Sequence, residues 1–245
     1  MSEQTALEGF ISVNAALQAR NRDIYALYIS KARLDQAESR LVNAARDQGA
    51  EVKRVGAEVI DRYASGKSHG GMIALVGPRR YLPLEKLAGG STLPFVVMLD
   101  GIEDPFNFGL AIRSLYAAGV DGLVVRPRNW MSAAGIVARA SAGASELMPT
   151  AVAETALAAA EFLKGRGLSV ACAVRRDSVS IHDTRLAVPL FLVIGGEKRG
   201  ISRPLLKKAD LRLEIPYGRR FAHSLGTASA AAVLAFEIMR QRRRG

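Results

Sequence analysis

The fold class predicted by this sequence is α/β in two parts: a small N-terminal α/β module, then a larger domain built on a parallel sheet. Three observations predict it. Phe95–Leu99 and Leu190–Ile194 are continuous apolar runs, the mark of strands buried on both faces. Strand-like and helix-like segments alternate along the chain, a pattern that builds a parallel sheet with helices on both faces. Residues 79–94 break the alternation with Pro83, Gly89, Gly90, Ser91, Thr92 and Pro94, a linker composition. The expected organisation is a module at 1–78, a linker at 79–94 and a domain at 95–245, and a chain of 245 residues has room for both parts.

Taken in order, Leu7–Arg20 has a helical apolar rhythm through Val13, Ala16 and Leu17. Asp23–Ile29 reads as a short strand. Leu34–Gln48 is an amphipathic helix that Gly49 ends. Glu51–Val55 is a strand, Ala57–Ala64 a short helix, and Gly70–Val76 a strand after a glycine-rich turn. Beyond the linker, the Phe95–Leu99 strand leads through a polar loop to a helix over about Gly109–Ala118, with Asn107 as its N-cap. Gly122–Val125 is a buried strand, Ala133–Ser141 a helix and Ala151–Lys164 an alanine-rich helix. Strands follow at Leu168–Val174, Leu190–Ile194 and Leu211–Ile215, and Thr227–Arg242 is a long closing helix. There is no internal repeat and no low-complexity segment.

Composition narrows the function. The single cysteine, Cys172, excludes a disulfide framework and a cysteine-based metal site. His69, His182 and His223 are too scattered for a zinc site, so no metal is expected. No apolar run approaches the roughly 18 residues of a membrane span, and Met1–Glu8 lacks the basic and apolar regions of a signal peptide. A cytoplasmic protein without a membrane partner is expected. The net charge is +11, and it is unevenly placed. Residues 1–78 hold ten Lys/Arg and nine Asp/Glu, whereas 79–245 hold 24 and 14, a net of +10. A localised basic surface points to a polyanion, because neutralising phosphates releases counterions.

Several motifs fail on inspection. Gly66-Lys67-Ser68 ends like a phosphate loop, but Asp61 stands where the first glycine is required. No GxGxxG follows a strand. Ser224 follows His223 without a nucleophile elbow. Glu103 and Asp104 are adjacent in a loop, a setting that favours a helix cap over paired catalysis. Cys172 lies between alanines in a strand and reads as inert core.

Three segments share one design, an apolar strand running into small and polar residues. The first is Leu99–Arg113, where Asn107 and Gly109 open a helix that carries Arg113. The second is Leu190–Gly200, where the strand meets Gly195, Gly196 and Glu197. The third runs from Leu213 through Ile215 and Pro216 to Ser224, Leu225 and Gly226 at the head of the last helix. Strand ends beside helix starts are where α/β folds hold ligands, and glycine lets a ligand approach the backbone closely.

In this order and spacing the segments resemble the three motifs of the SpoU family of RNA ribose 2′-O-methyltransferases, part of the SPOUT group. Asn107-x-Gly109-x-x-x-Arg113 resembles the first, Gly195-x-Glu197-x-x-Gly200 the second, and Ile215-Pro216 through Ser224-Leu225 the third. Residues 9–76, ending in Ser68-His-Gly-Gly-Met-Ile-Ala74, resemble the substrate-binding module that often precedes this domain. The resemblance implies a parallel α/β domain with a C-terminal trefoil knot, a homodimer, and methyl transfer from S-adenosyl-L-methionine to structured RNA. Ribosomal RNA is the preferred partner on the strength of the N-terminal module, with transfer RNA as the alternative. It places the cofactor at Gly195, Gly196, Gly200, Ile215, Leu225 and Gly226. It assigns the reaction to Arg113, Asn107, Glu197 and Ser224, with Arg113 holding the RNA phosphate and favouring the developing alkoxide. Gly226 stands where the family usually has asparagine. That departure keeps a second reading open at this point, an RNA-binding member that has lost or altered methyl transfer.

Overall fold

The computed structural model describes residues 4–31, 35–66, 69–127, 133–196 and 199–243. It divides into two compact units.

The first unit comprises Met1–Arg80 and Asn129–Leu147. Its sheet has the order β1 (Thr5–Glu8), β4 (Met72–Val76), β2 (Ile24–Ser30), β3 (Glu51–Val55). β4 runs antiparallel to both neighbours, and β2 and β3 are parallel. Helices α1 (Gly9–Ala19), α2 (Gln36–Asp47) and α3 (Ala57–Tyr63) link the strands. Leu7, Val13, Leu17, Leu27, Leu41 and Met72 form the core. α2 begins with a capping box: Asp35 accepts the Glu38 amide and Glu38 accepts the Asp35 amide. Thr5–Glu8 corrects the expectation of a helix from Leu7. These residues extend the sheet against β4, and Gly9, with φ +80°, turns the chain between strand and helix. Two later helices, α6 (Ala134–Ala140) and α7 (Ala144–Leu147), belong to this unit. Buried Arg22 donates through Nε to Oε2 of Glu146 at 2.7 Å, and Arg139 donates to Glu8 at 2.9 Å. Buried charges need such partners.

The second unit comprises Tyr81–Arg128 and Met148–Gly245. Seven strands lie in the order β7 (Thr150–Val152), β6 (Gly122–Val125), β5 (Phe95–Asp100), β10 (Leu190–Gly195), β8 (Ser169–Ala173), β11 (Leu211–Glu214), β9 (Val179–Ser180). Every pairing is parallel, as the apolar runs predict. One face of the sheet, with Val96, Met98, Cys172 and Val193, packs under α4 (Leu84–Leu87), α8 (Ala156–Gly165) and α9 (Arg203–Lys208). α10 (Thr227–Arg242) packs against α5 (Pro105–Ala117) and β10.

Three expectations need correction here. The helix expected from Ala151 is a strand, Thr150–Val152, paired with β6, and only then α8. Sheet pairing overrides the helical preference of alanine, and Thr155 starts the helix by accepting the Ala158 amide at 3.0 Å. α5 begins at Pro105 rather than Gly109, because Asp104 is its cap and accepts the Asn107 amide at 2.7 Å. Asn107 is therefore in the first turn and not the N-cap. The short elements α4, α7, α9 and β9 carry too few residues for a periodic signal. Among the described residues no helix is long and apolar enough to cross a membrane.

Because the strands are parallel, the carboxyl ends of β5, β10, β8 and β11 share one edge of the sheet. β10 sits between β5 and β8 although the chain makes it after both. The strand order therefore reverses direction there, the place where open α/β sheets form a crevice.

Candidate active site

That edge holds a cavity of about 570 Å³, within the size range of small-molecule and cofactor sites. It brings together residues from three separated segments: Gly195 at the end of β10 with Gly196 and Gly200 beyond it, Ile215 after β11, and Ser224, Leu225 and Gly226 at the start of α10. Ile201, Leu213 and Leu234 supply apolar wall. The six residues expected to hold a cofactor thus share one cavity with Ser224.

The glycines are a steric requirement. A Cβ on Gly196 would lie 2.1 Å from the Gly101 carbonyl oxygen, and one on Gly195 would lie 2.8 Å from the Gly200 carbonyl carbon. Both distances are below any real contact, so the loops after β5 and β10 can touch only if Gly196 lacks a side chain, and the chain can fold back at Gly200 only if Gly195 lacks one. The Gly196 amide donates to the Asp100 carbonyl at 2.6 Å. Gly101, with φ +88°, turns the chain at that contact.

The segment after β11 is pinned over the same edge. The Leu225 amide donates to the Tyr217 hydroxyl at 3.0 Å. The Arg175 guanidinium lies 5.0 Å from the Tyr217 ring centroid. It also donates to the Phe221 and Ala222 carbonyls at 2.9 and 2.8 Å. Arg175 and Tyr217 line the cavity, and sequence reasoning missed both. Arg175 had one available signal, its place just beyond a strand end.

The remaining candidates fall elsewhere. Asn107 and Arg113 are exposed on α5 and do not line the cavity. Glu197 lies outside the described residues. Asp100, unforeseen, is buried at the end of β5 and pairs with Arg126 at 2.6 Å. Asp104 caps α5, as its loop setting suggests. Cys172 is fully buried, and desolvation pushes its thiol up to about 12, which leaves it inert at neutral pH.

Residues 94–236 match the SpoU rRNA Methylase family. The chain belongs to the SpoU rRNA methylase family. All three SpoU-like segments fall within the matched span. Residues 6–82 also match the description "RNA 2′-O ribose methyltransferase substrate binding". A SpoU relative, the 23S rRNA (guanosine-2′-O-)-methyltransferase RlmB of Shewanella oneidensis, is 27% identical over 99% of this chain and 100% of its own length. The putative TrmH family tRNA/rRNA methyltransferase YacO of Bacillus subtilis is 30% identical over 95% of each chain. The SpoU methyltransferase AviRb from Streptomyces viridochromogenes, solved in complex with AdoMet, shares the fold. Its TM-score is 0.82, with 20% identity, over 99% of this chain and 92% of that one.

Proposed function

We propose that the protein transfers a methyl group from S-adenosyl-L-methionine to a ribose 2′-hydroxyl of ribosomal RNA. One observation carries the reading: Gly195, Gly196, Ile215, Leu225 and Gly226, drawn from two of the SpoU-like segments, line a single cavity at a strand-order reversal. The residues fit an adenosyl ligand. Apolar Ile201, Leu213 and Leu234 suit a flat ring, and backbone groups beside the glycines suit its polar edges.

When bound, S-adenosylmethionine supplies a methyl group already activated on a sulfonium. The chain must then position the RNA and favour the alkoxide of a weakly acidic hydroxyl. We assign that work to Arg113, whose guanidinium carries only donors and so holds a phosphate or developing anion. Asn107 and Glu197 orient Arg113 and its loops, and Ser224, which lines the cavity, offers a hydroxyl hydrogen bond. Residues 1–78 serve as the RNA-binding module, joined through 79–94 to the methyltransferase domain at 95–245.

The working form we propose is a cytoplasmic homodimer. Phe106 and Tyr116 on α5 and Val233 and Phe236 on α10 are large, apolar and 40–55% exposed, on two helices that pack together. Arg113 lies seven residues from Phe106 and so shares its face of α5. A dimer on this face carries Arg113 into the interface. A trefoil knot is proposed from the strand order, in which β10 enters between β5 and β8 before the chain passes outward to β11 and returns through α10.

The test is incubation of the full-length protein with S-adenosylmethionine labelled in its methyl group and unmodified ribosomal or transfer RNA. Label in ribosomal RNA, recovered in alkali-resistant dinucleotides, supports the reading. Label confined to transfer RNA moves the substrate, and label in neither contradicts methyl transfer.

A further inference from the structure

We propose that the loop at 217–223 is a stacking platform for an unpaired RNA base beside the nucleotide whose ribose is methylated. The inference rests on the methyl-transfer reading of the adjoining cavity and gives it a substrate requirement: single-stranded RNA at the target.

The loop interleaves aromatic and basic residues as Tyr217-Gly-Arg219-Arg220-Phe221-Ala-His223. Its rings form a continuous series. Tyr217 and Phe221 centroids are 6.2 Å apart, and Phe221 and His223 centroids are 5.4 Å apart. Phe221 is 53% exposed, so a large apolar face meets water. That exposure is not explained by looseness, because Arg175 holds the Phe221 and Ala222 carbonyls and stacks over Tyr217. A ring carried on a held backbone, beside two other rings, and left uncovered is preorganised for a flat ligand.

A groove of about 280 Å³ runs along the platform. Arg219 and Arg220 line it, are exposed, and form no ion pair among the described residues. The groove shares Arg175, Ile215 and Tyr217 with the larger cavity, so an occupant lies one side chain from the proposed methyl donor. Glu214 also borders the groove, and its carboxylate accepts the Ser178 hydroxyl at 2.9 Å. Aromatic faces beside guanidinium groups are the combination that binds single strands, with rings stacking bases and cations holding phosphates.

The experiment uses the full-length protein and a short single-stranded oligoribonucleotide carrying one 2-aminopurine, whose fluorescence falls on stacking. The wild type should quench it, and Phe221→Ala should abolish the quenching and bind about 5- to 150-fold more weakly, the range for one base that no longer stacks. Phe221→Trp should restore both. S-adenosylmethionine affinity, measured by calorimetry, should be the same in all three. The double variant Arg219→Ala/Arg220→Ala should bind with a shallower salt dependence, by about 0.7 in log–log slope for each phosphate it no longer holds. Persistent quenching in Phe221→Ala, or no quenching by a wild type that binds S-adenosylmethionine, overturns the platform and leaves the cavity reading intact. A wild type that fails to bind S-adenosylmethionine contradicts the cavity reading instead, while the quenching comparison still decides the platform.

Discussion

The Tyr217 hydroxyl accepts the Leu225 amide at 3.0 Å across eight residues of chain. This bond closes the segment between β11 and α10, and both partners line the cavity. Removing the hydroxyl with Tyr217→Phe leaves the ring under Arg175 but costs about 0.5–1.5 kcal/mol of loop order. S-adenosylmethionine should then bind roughly 2- to 12-fold more weakly, with the unfolding temperature nearly unchanged. Calorimetric titration of the variant checks this, and an unaltered affinity would separate the loop from the cavity.

Gly196 and Gly218 offer a paired test of the glycine requirement. A Cβ at Gly196 meets the Gly101 carbonyl oxygen at 2.1 Å, whereas one at Gly218 meets nothing within 4 Å. Gly196→Ala should lower stability by about 1–3 kcal/mol and abolish cofactor binding. Gly218→Ala should do neither. Urea unfolding of the two variants gives the comparison, and equal stabilities would remove the steric basis of the cradle.

The parallel domain was legible because its strands are buried on both faces and so read as unbroken apolar runs. Gly195 and Gly196 were legible as cavity positions because a Cβ at either would collide with backbone. Arg113 and Asn107 were legible as motif positions, yet nothing in the sequence could place them apart from the cavity. Arg175 and Tyr217 have no local signal because the contacts of Arg175 with Tyr217, Phe221 and Ala222 span 42–47 residues and depend on the strand order. Ala151 and Val152, expected to begin a helix, are strand instead: a three-residue strand shows no period, and pairing with β6 decides its conformation. Ala134–Leu147 joins the first unit through the buried pair Arg22–Glu146, the part-buried pair Arg139–Glu8 and the core residue Ala138, and the paired partners are more than a hundred residues apart.

Glu237, on α10, gives a prediction in pH. Its carboxylate accepts Arg240 at 2.7 and 2.8 Å and Gln241 at 2.9 Å. The Arg240 hydrogen bonds are the main cause that holds it down to about 2. A depressed carboxylate stabilises the fold fully above its unfolded pKa of about 4.3 and loses that contribution as pH falls through the folded value. Wild-type stability should therefore drop between about pH 5 and pH 2 more steeply than that of Glu237→Gln. Unfolding curves at neutral pH and near pH 3 test this, and parallel losses in both proteins would contradict it.

Gly226 is the N-cap of α10, with φ −57°, ψ 148° and no side-chain cap. That backbone accepts asparagine without strain, and an asparagine there should stabilise the helix by a few tenths of a kcal/mol. Gly226 also lines the cavity, so Gly226→Asn adds volume where the cofactor is proposed to bind. We expect slightly higher thermal stability and a methyl-transfer rate that is little changed or reduced. A silent wild type awakened by the substitution would favour the reading in which this chain binds RNA without methylating it.

Arg113 is exposed and lies off the cavity, so Arg113→Ala should leave both the fold and S-adenosylmethionine affinity unchanged. Methyl transfer should nonetheless be lost. Circular dichroism, calorimetry and a transfer assay on the same preparation separate these effects. Near-normal turnover would remove Arg113 from the reaction.

Methylation of a ribose 2′-hydroxyl in ribosomal RNA by this chain is tested most directly by a map of 2′-O-methylated nucleotides in ribosomal RNA from cells with and without the gene. One nucleotide, in an unpaired segment, should lose its 2′-O-methyl group when the gene is deleted. It should regain the group on complementation with the wild type but not with Arg113→Ala. Identical maps with and without the gene would contradict the claim.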